Sequence, residues 1–169
     1  MLVRAKFRVM RHVVEWNKTV KIEFAPVGPK HHESEPDGKG GWKSFHTEHP
    51  ENAAFWSASP SGEASIGGLT STLAEAYPVG RYVYIDMQET TEPSDWALGS
   101  LTMFENGSCI EVTLRRYTPY SSVKINIHNR GAHAPFIDAM IKAHAENKLS
   151  TWSVAFTLAP DPERVYDGS

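Results

Sequence analysis

The most constraining feature of this chain is a repeated two-residue alternation of apolar and polar side chains. It opens in the first nine residues, where Val3, Ala5, Phe7 and Val9 fall on one face and Arg4, Lys6 and Arg8 on the other. Successive side chains of a strand point to opposite faces, so this run is a strand with one buried side. The pattern returns with Val20, Ile22 and Phe24 against Lys21 and Glu23, and Trp16-Asn17-Lys18 supplies a turn that makes the two runs a hairpin. A further strand is Arg81-Tyr82-Val83-Tyr84-Ile85-Asp86-Met87, marked by its β-branched and aromatic content. Further runs are Ile110, Val112 and Leu114, then Val123, Ile125 and Ile127, and finally Trp152, Val154, Phe156 and Leu158. A chain built this way is mainly β.

Between these runs the punctuation is clear in most places. Pro60-Ser61-Gly62 is a turn signature before a short strand at Glu63-Ala64-Ser65-Ile66. Residues 70–77 read as one or two helical turns with a Ser/Thr cap, ended by Pro78-Val79-Gly80. Asn106-Gly107 between apolar runs predicts a tight hairpin. The one extended helical pattern begins near Pro135, with Phe136, Ile137, Met140, Ile141 and His144 on a single face. Residues 27–52 carry Gly, Pro, His and acidic residues with no apolar period, and predict a long polar loop.

The expected fold class is therefore α+β, mainly β, in two parts. Residues 1–88 form a small antiparallel β-barrel-like lobe carrying the 27–52 loop, and the acidic stretch 89–99 is a linker. Residues 100–160 form a β-β-β-α-β lobe, one helix on an antiparallel sheet, and 161–169 is a polar tail.

With the strand ending at Pro26-Val27, the segment Glu51-Asn52-Ala53-Ala54-Phe55-Trp56, the turn Ser59-Pro60-Ser61-Gly62 and the strand Gly80-Arg81-Tyr82-Val83-Tyr84-Ile85-Asp86, residues 3–87 resemble small β-barrel-like proteins encoded by tailed bacteriophages. The resemblance implies a phage or prophage origin and brings no catalytic residues with it. The chain departs from that pattern in the 27–52 segment and throughout its second half.

Composition narrows the classes of function. The net charge of −3 weighs against a protein that grips duplex DNA through its phosphates. A single cysteine, Cys109, cannot form an internal disulfide, and in its strand-like run it reads as a buried, inert thiol. The first residues resemble neither a signal peptide nor a transit helix, and no apolar run reaches the length of a spanning helix. The expectation is a soluble protein of the cytoplasm, the host cytoplasm if phage encoded, or of the virion, without membrane contact.

Three groups of residues carry possible chemistry. Four of the eight histidines, His31, His32, His46 and His49, lie in the 27–52 segment among Glu33, Glu35, Asp37, Glu48 and Glu51, and imidazole with carboxylate is a natural ligand set for a transition metal. The expectation is nevertheless no cofactor, with a transition metal in the 31–49 segment as the one alternative. Arg4, Lys6 and Arg8, with Lys21 on the next strand, make a basic face of the kind that holds single-stranded nucleic acid when aromatics lie beside it. Arg115, Arg116 and Lys124, with Arg130, offer a second basic patch. His128 and His133 flank a helix start. Neither a nucleophile elbow nor a phosphate-binding glycine loop is present in the sequence.

These observations rank three functions. The first is a non-enzymatic binding or assembly protein acting through protein–protein contacts, with a protein partner or its own copies. The alternative is a single-stranded nucleic-acid binder using the basic strand face, and the third is a metal-dependent enzyme built on the His-rich segment.

Overall fold

Each alternating run hides one apolar face, and in a computed structural model of the chain those faces converge on one interior. The structure describes residues 2–58, 61–104, 109–128, 134–146 and 151–168. In chain order the elements are β1 (Leu2–Val14), β2 (Val20–Pro26), β3 (Lys30–Pro36), β4 (Trp42–Glu48), a 3₁₀ turn (Pro50–Asn52), α1 (Ala53–Ala58), β5 (Ser61–Leu69) and α2 (Ser71–Glu75). They continue with β6 (Tyr82–Thr90), β7 (Trp96–Phe104), β8 (Cys109–Tyr117), β9 (Tyr120–His128), α3 (Ala134–Ala145), β10 (Thr151–Leu158) and β11 (Val165–Tyr166).

Eight strands close into an antiparallel barrel in the order β1-β2-β5-β9-β8-β7-β10-β6. An eight-stranded barrel is just wide enough for side chains to fill it. Here Phe7, Ile22, Ile85, Met87, Ile110, Leu114, Ile125 and Trp152 are completely buried in one continuous core. Phe55 of α1 and Met140 of α3 join the same core.

The mainly β class and the antiparallel barrel are as the sequence predicts, and so is the order β-β-β-α-β of the second half. The division into two lobes is not. β5 pairs with β9 from Ser61↔Asn126 to Ser65↔Ser122, and β6 pairs with β10 from Thr90↔Thr151 to Val83↔Leu158, so both halves close a single barrel. The predicted linker 89–99 is partly strand, since β6 runs to Thr90 and β7 starts at Trp96. Neither half owns enough strands to seal its own apolar face, and sharing one interior removes every barrel edge.

The 27–52 loop is also corrected. It holds an antiparallel hairpin, β3–β4, in register from Lys30↔Glu48 to Pro36↔Trp42. Its turn is closed by the Asp37 carboxylate, which accepts from the amides of Lys39 (2.7 Å) and Gly41 (2.9 Å), while Gly38 takes φ +74° and Gly40 φ +88°. The expected tail adds a third strand, because β11 pairs with β4 through Val165↔His46 and Tyr166↔Phe45.

Other expectations hold locally. The β1–β2 hairpin turns through Glu15–Thr19 with Lys18 at φ 65°, and Thr70 caps α2 by accepting from the Leu73 amide at 3.2 Å. The predicted Asn106-Gly107 turn, the Ser59-Pro60 corner, Arg130, His133 and the side chains of Cys109, His128, Phe136, Ile137 and His144 lie outside the described residues. Among those described, no helix is long and apolar enough to cross a membrane.

Candidate functional site

With one face of every barrel strand committed to the core, chemistry is left to the outer surface. The strand period places Arg4, Lys6 and Arg8 outward on β1, beside Tyr82, Tyr84 and Asp86 of β6. The small sheet β3-β4-β11 packs across this face, over an apolar contact of Val27, Tyr82 and Ala159. Each cation of the stripe is consumed by an acid. Arg4 grips Asp86 with two bonds (2.7 and 2.9 Å), Lys6 Nζ lies 2.6 Å from Glu51 Oε1, and Arg8 pairs with Glu33 of β3. Lys6 is only 4% exposed, and its ammonium also lies over the rings of Tyr82 and Tyr84.

Beside that apolar contact the junction also buries polar groups. His49 is buried, its Nε2 lies 2.9 Å from Thr47 Oγ1, and Thr47 Oγ1 lies 3.2 Å from the Tyr82 hydroxyl. Burial, helped by the neighbouring Lys6 charge, lowers the His49 pKa to about 4, so the ring stays neutral. Burial pushes the Glu51 carboxyl up, but the bonds from Lys6, its own backbone and the Tyr84 hydroxyl outweigh that and leave it below the usual range. Asn52 completes the junction. Its side chain accepts from the Lys6 amide (2.8 Å) and donates to the carbonyls of Lys6 (3.1 Å) and Val27 (2.5 Å), where β2 parts from β1.

The four histidines proposed as metal ligands separate. His31 turns toward Glu33 and Tyr82, and His49 enters the buried junction. His32 and His46 stay together as a cross-strand pair with ring centroids 5.6 Å apart. They are joined by Asp167, which the sequence reading missed, with Oδ1 2.6 Å from His46 Nδ1 and Oδ2 3.6 Å from His32 Nδ1. The His46 contact holds the Asp167 carboxyl below its ordinary range.

The remaining predicted cations also disperse. Lys21 is not beside the β1 stripe but opposite Val13, 3.0 Å from Glu23. Lys124 lies 3.1 Å from Glu63. Arg115 and Arg116 are consecutive in β8 and face opposite ways: Arg115 lays its stem across Gly99, where a Cβ would meet its Cδ at 2.7 Å, and Arg116 stacks over Trp96 at 5.4 Å.

Aromatic residues gather instead where the β1–β2 and β8–β9 turns meet. Trp16 is 94% exposed at the first turn, although that turn is held in place by Asn17, whose side chain accepts from the Thr19 amide (3.1 Å) and hydroxyl (2.7 Å). Tyr117 and Tyr120 stand exposed at the second turn, edge to face at 6.3 Å. Between the turns lies a concavity of about 340 Å³, lined by Trp16, Lys21, Gly67, Gly68, Pro119 and Tyr120 among others. Its floor depends on glycine, since Gly68 adopts φ +68° and a Cβ there would lie 2.3 Å from Pro119 Cβ. A second hollow of about 420 Å³ continues from Lys21 and Tyr120 toward Met10, Arg11, Glu23 and Glu63.

No family model, curated protein or solved structure matches this chain.

Proposed function

We propose that this protein works without catalysis, by binding another protein chain at the end of the barrel formed by Trp16, Tyr117 and Tyr120. The observation that carries the reading is a nearly fully exposed tryptophan on a hydrogen-bonded turn, beside two exposed tyrosines and an indented floor. Tryptophan and tyrosine anchor protein interfaces because they bury a large apolar area at little conformational cost, inside a polar rim. The rim is present here as Glu15, Asn17, Thr19 and Lys21, with the Arg11–Glu23–Lys21 ion pairs beyond. A phage assembly or host-directed role fits this mode of action and belongs to the same proposal.

The nucleic-acid reading is disfavoured by the ion pairs on the outer faces of the strands. Affinity for single strands comes from cations able to meet phosphates, and Arg4, Lys6, Arg8, Lys21 and Lys124 already face carboxylates.

A photo-crosslinking residue placed at position 16 or 120, in an extract containing the source's proteins, tests the proposal. A discrete protein adduct is expected from both positions and not from position 79, an exposed site elsewhere. With the partner in hand, Trp16→Ala should weaken binding roughly thirtyfold, as for a hot spot of about 2 kcal/mol. Equal labelling from all three positions, or wild-type affinity of the variant, would overturn it.

A further inference from the structure

The small sheet carries a grouping that the aromatic end does not use. We infer that His32, His46 and Asp167 bind a divalent transition-metal ion of the zinc type, which fastens strand β11 to the β3–β4 hairpin. One ligand atom from each residue lies within 4.8 Å of the other two. Donors at 2.0–2.2 Å around a tetrahedral ion are about 3.3 Å apart, so side-chain rotations of roughly 1 Å close the shell. The 2.6 Å approach of His46 Nδ1 to Asp167 Oδ1 needs a positive centre between them, a proton in the free protein and the metal in the bound one.

Two further features favour a metal over a simple ion pair. The His46 side chain is 9% exposed, held by the strand on a fixed face, while His32 at 65% is free to swing in as the closing ligand. The other nitrogen of His46, Nε2, faces Glu48 Oε1 at 3.7 Å. A carboxylate behind a ligating histidine orients the ring and raises its basicity. Two imidazoles and one carboxylate suit zinc, nickel or copper rather than calcium or magnesium. Three protein ligands leave the fourth position to water.

This inference stands independently of the proposed protein-binding surface. Its test is calorimetric titration of the 169-residue chain, without an affinity tag, against Zn²⁺ alone. One equivalent should bind at micromolar affinity or tighter. His32→Ala and Asp167→Asn should each weaken binding at least about tenfold, and His31→Ala should leave it unchanged. Both ligand positions are partly open to solvent, so the variants are expected to keep the wild-type circular dichroism spectrum. Zn²⁺ should also slow amide exchange at Val165 and Tyr166. Absence of a stoichiometric binding event, or binding unaffected by His32→Ala and Asp167→Asn, would overturn the inference.

Discussion

At the scale of single residues, the outer face of β1 is best understood as a docking surface for the chain's own small sheet. Lys6, His49 and Asn52 are buried polar groups: Glu51 partners Lys6, Thr47 meets Nε2 of His49 while its Nδ1 has no hydrogen-bond partner among the described residues, and three backbone groups hold Asn52. Such groups cost several kcal/mol when unpaired, so they fix one arrangement of the junction. His49 makes that arrangement sensitive to pH. Its folded pKa of about 4 lies below the unfolded value of 6.5, so the unfolded chain binds more protons between those limits. Its contribution is therefore complete above pH 6.5 and is lost as pH falls toward 4. Denaturant titrations across that window should show a loss on the order of 3 kcal/mol in wild type, and His49→Gln should flatten the slope. An unchanged slope in the variant would assign the effect elsewhere.

At the scale of elements, alternation in the sequence locates β1, β2, β8, β9 and β10, which alternate apolar with polar residues, whereas β7 (Trp96–Phe104) lacks that period and begins inside the predicted linker. The β3–β4 hairpin escaped it for a physical reason. Its strand Lys30–Pro36 alternates one polar side chain with another, His31, Glu33 and Glu35 toward one face and Lys30, His32 and Ser34 toward the other, so no apolar period exists. The available signal was the turn-forming run Asp37-Gly38-Lys39-Gly40-Gly41, and these five residues between Pro36 and Trp42 set His32 opposite His46. Asp167 could not be read at all, because a two-residue strand at the far end of the chain leaves no periodic trace. Since the Asp37 carboxylate closes the turn, Asp37→Ala should speed amide exchange across 30–48 by about tenfold or more, while exchange in β6 and β8 stays as in wild type. Equal acceleration in the barrel strands would show that the hairpin and barrel open together.

At the scale of the whole molecule, alternation says which face of a strand is buried but not which strand lies beside it. Thus alternation gives Val3, Ala5 and Phe7 one buried face, but it carries no sign of their pairing with β6, about eighty residues away. A single shared core predicts a single unfolding transition, with probes in both halves of the chain reporting the same midpoint. Trp152, completely buried in that core, tests it: Trp152→Ala should cost about 3–5 kcal/mol and shift both probes together. Two separate transitions would restore the two-lobe division. The filled interior and the covered basic stripe leave the Trp16–Tyr120 end as the proposed working surface, and hydrogen exchange of the chain with its crosslinked partner measures this most directly. The account predicts slowed exchange at residues 15–21 and 117–122, with the small sheet unchanged. Protection confined to the small sheet, or to the β1–β6 face beneath it, would contradict it.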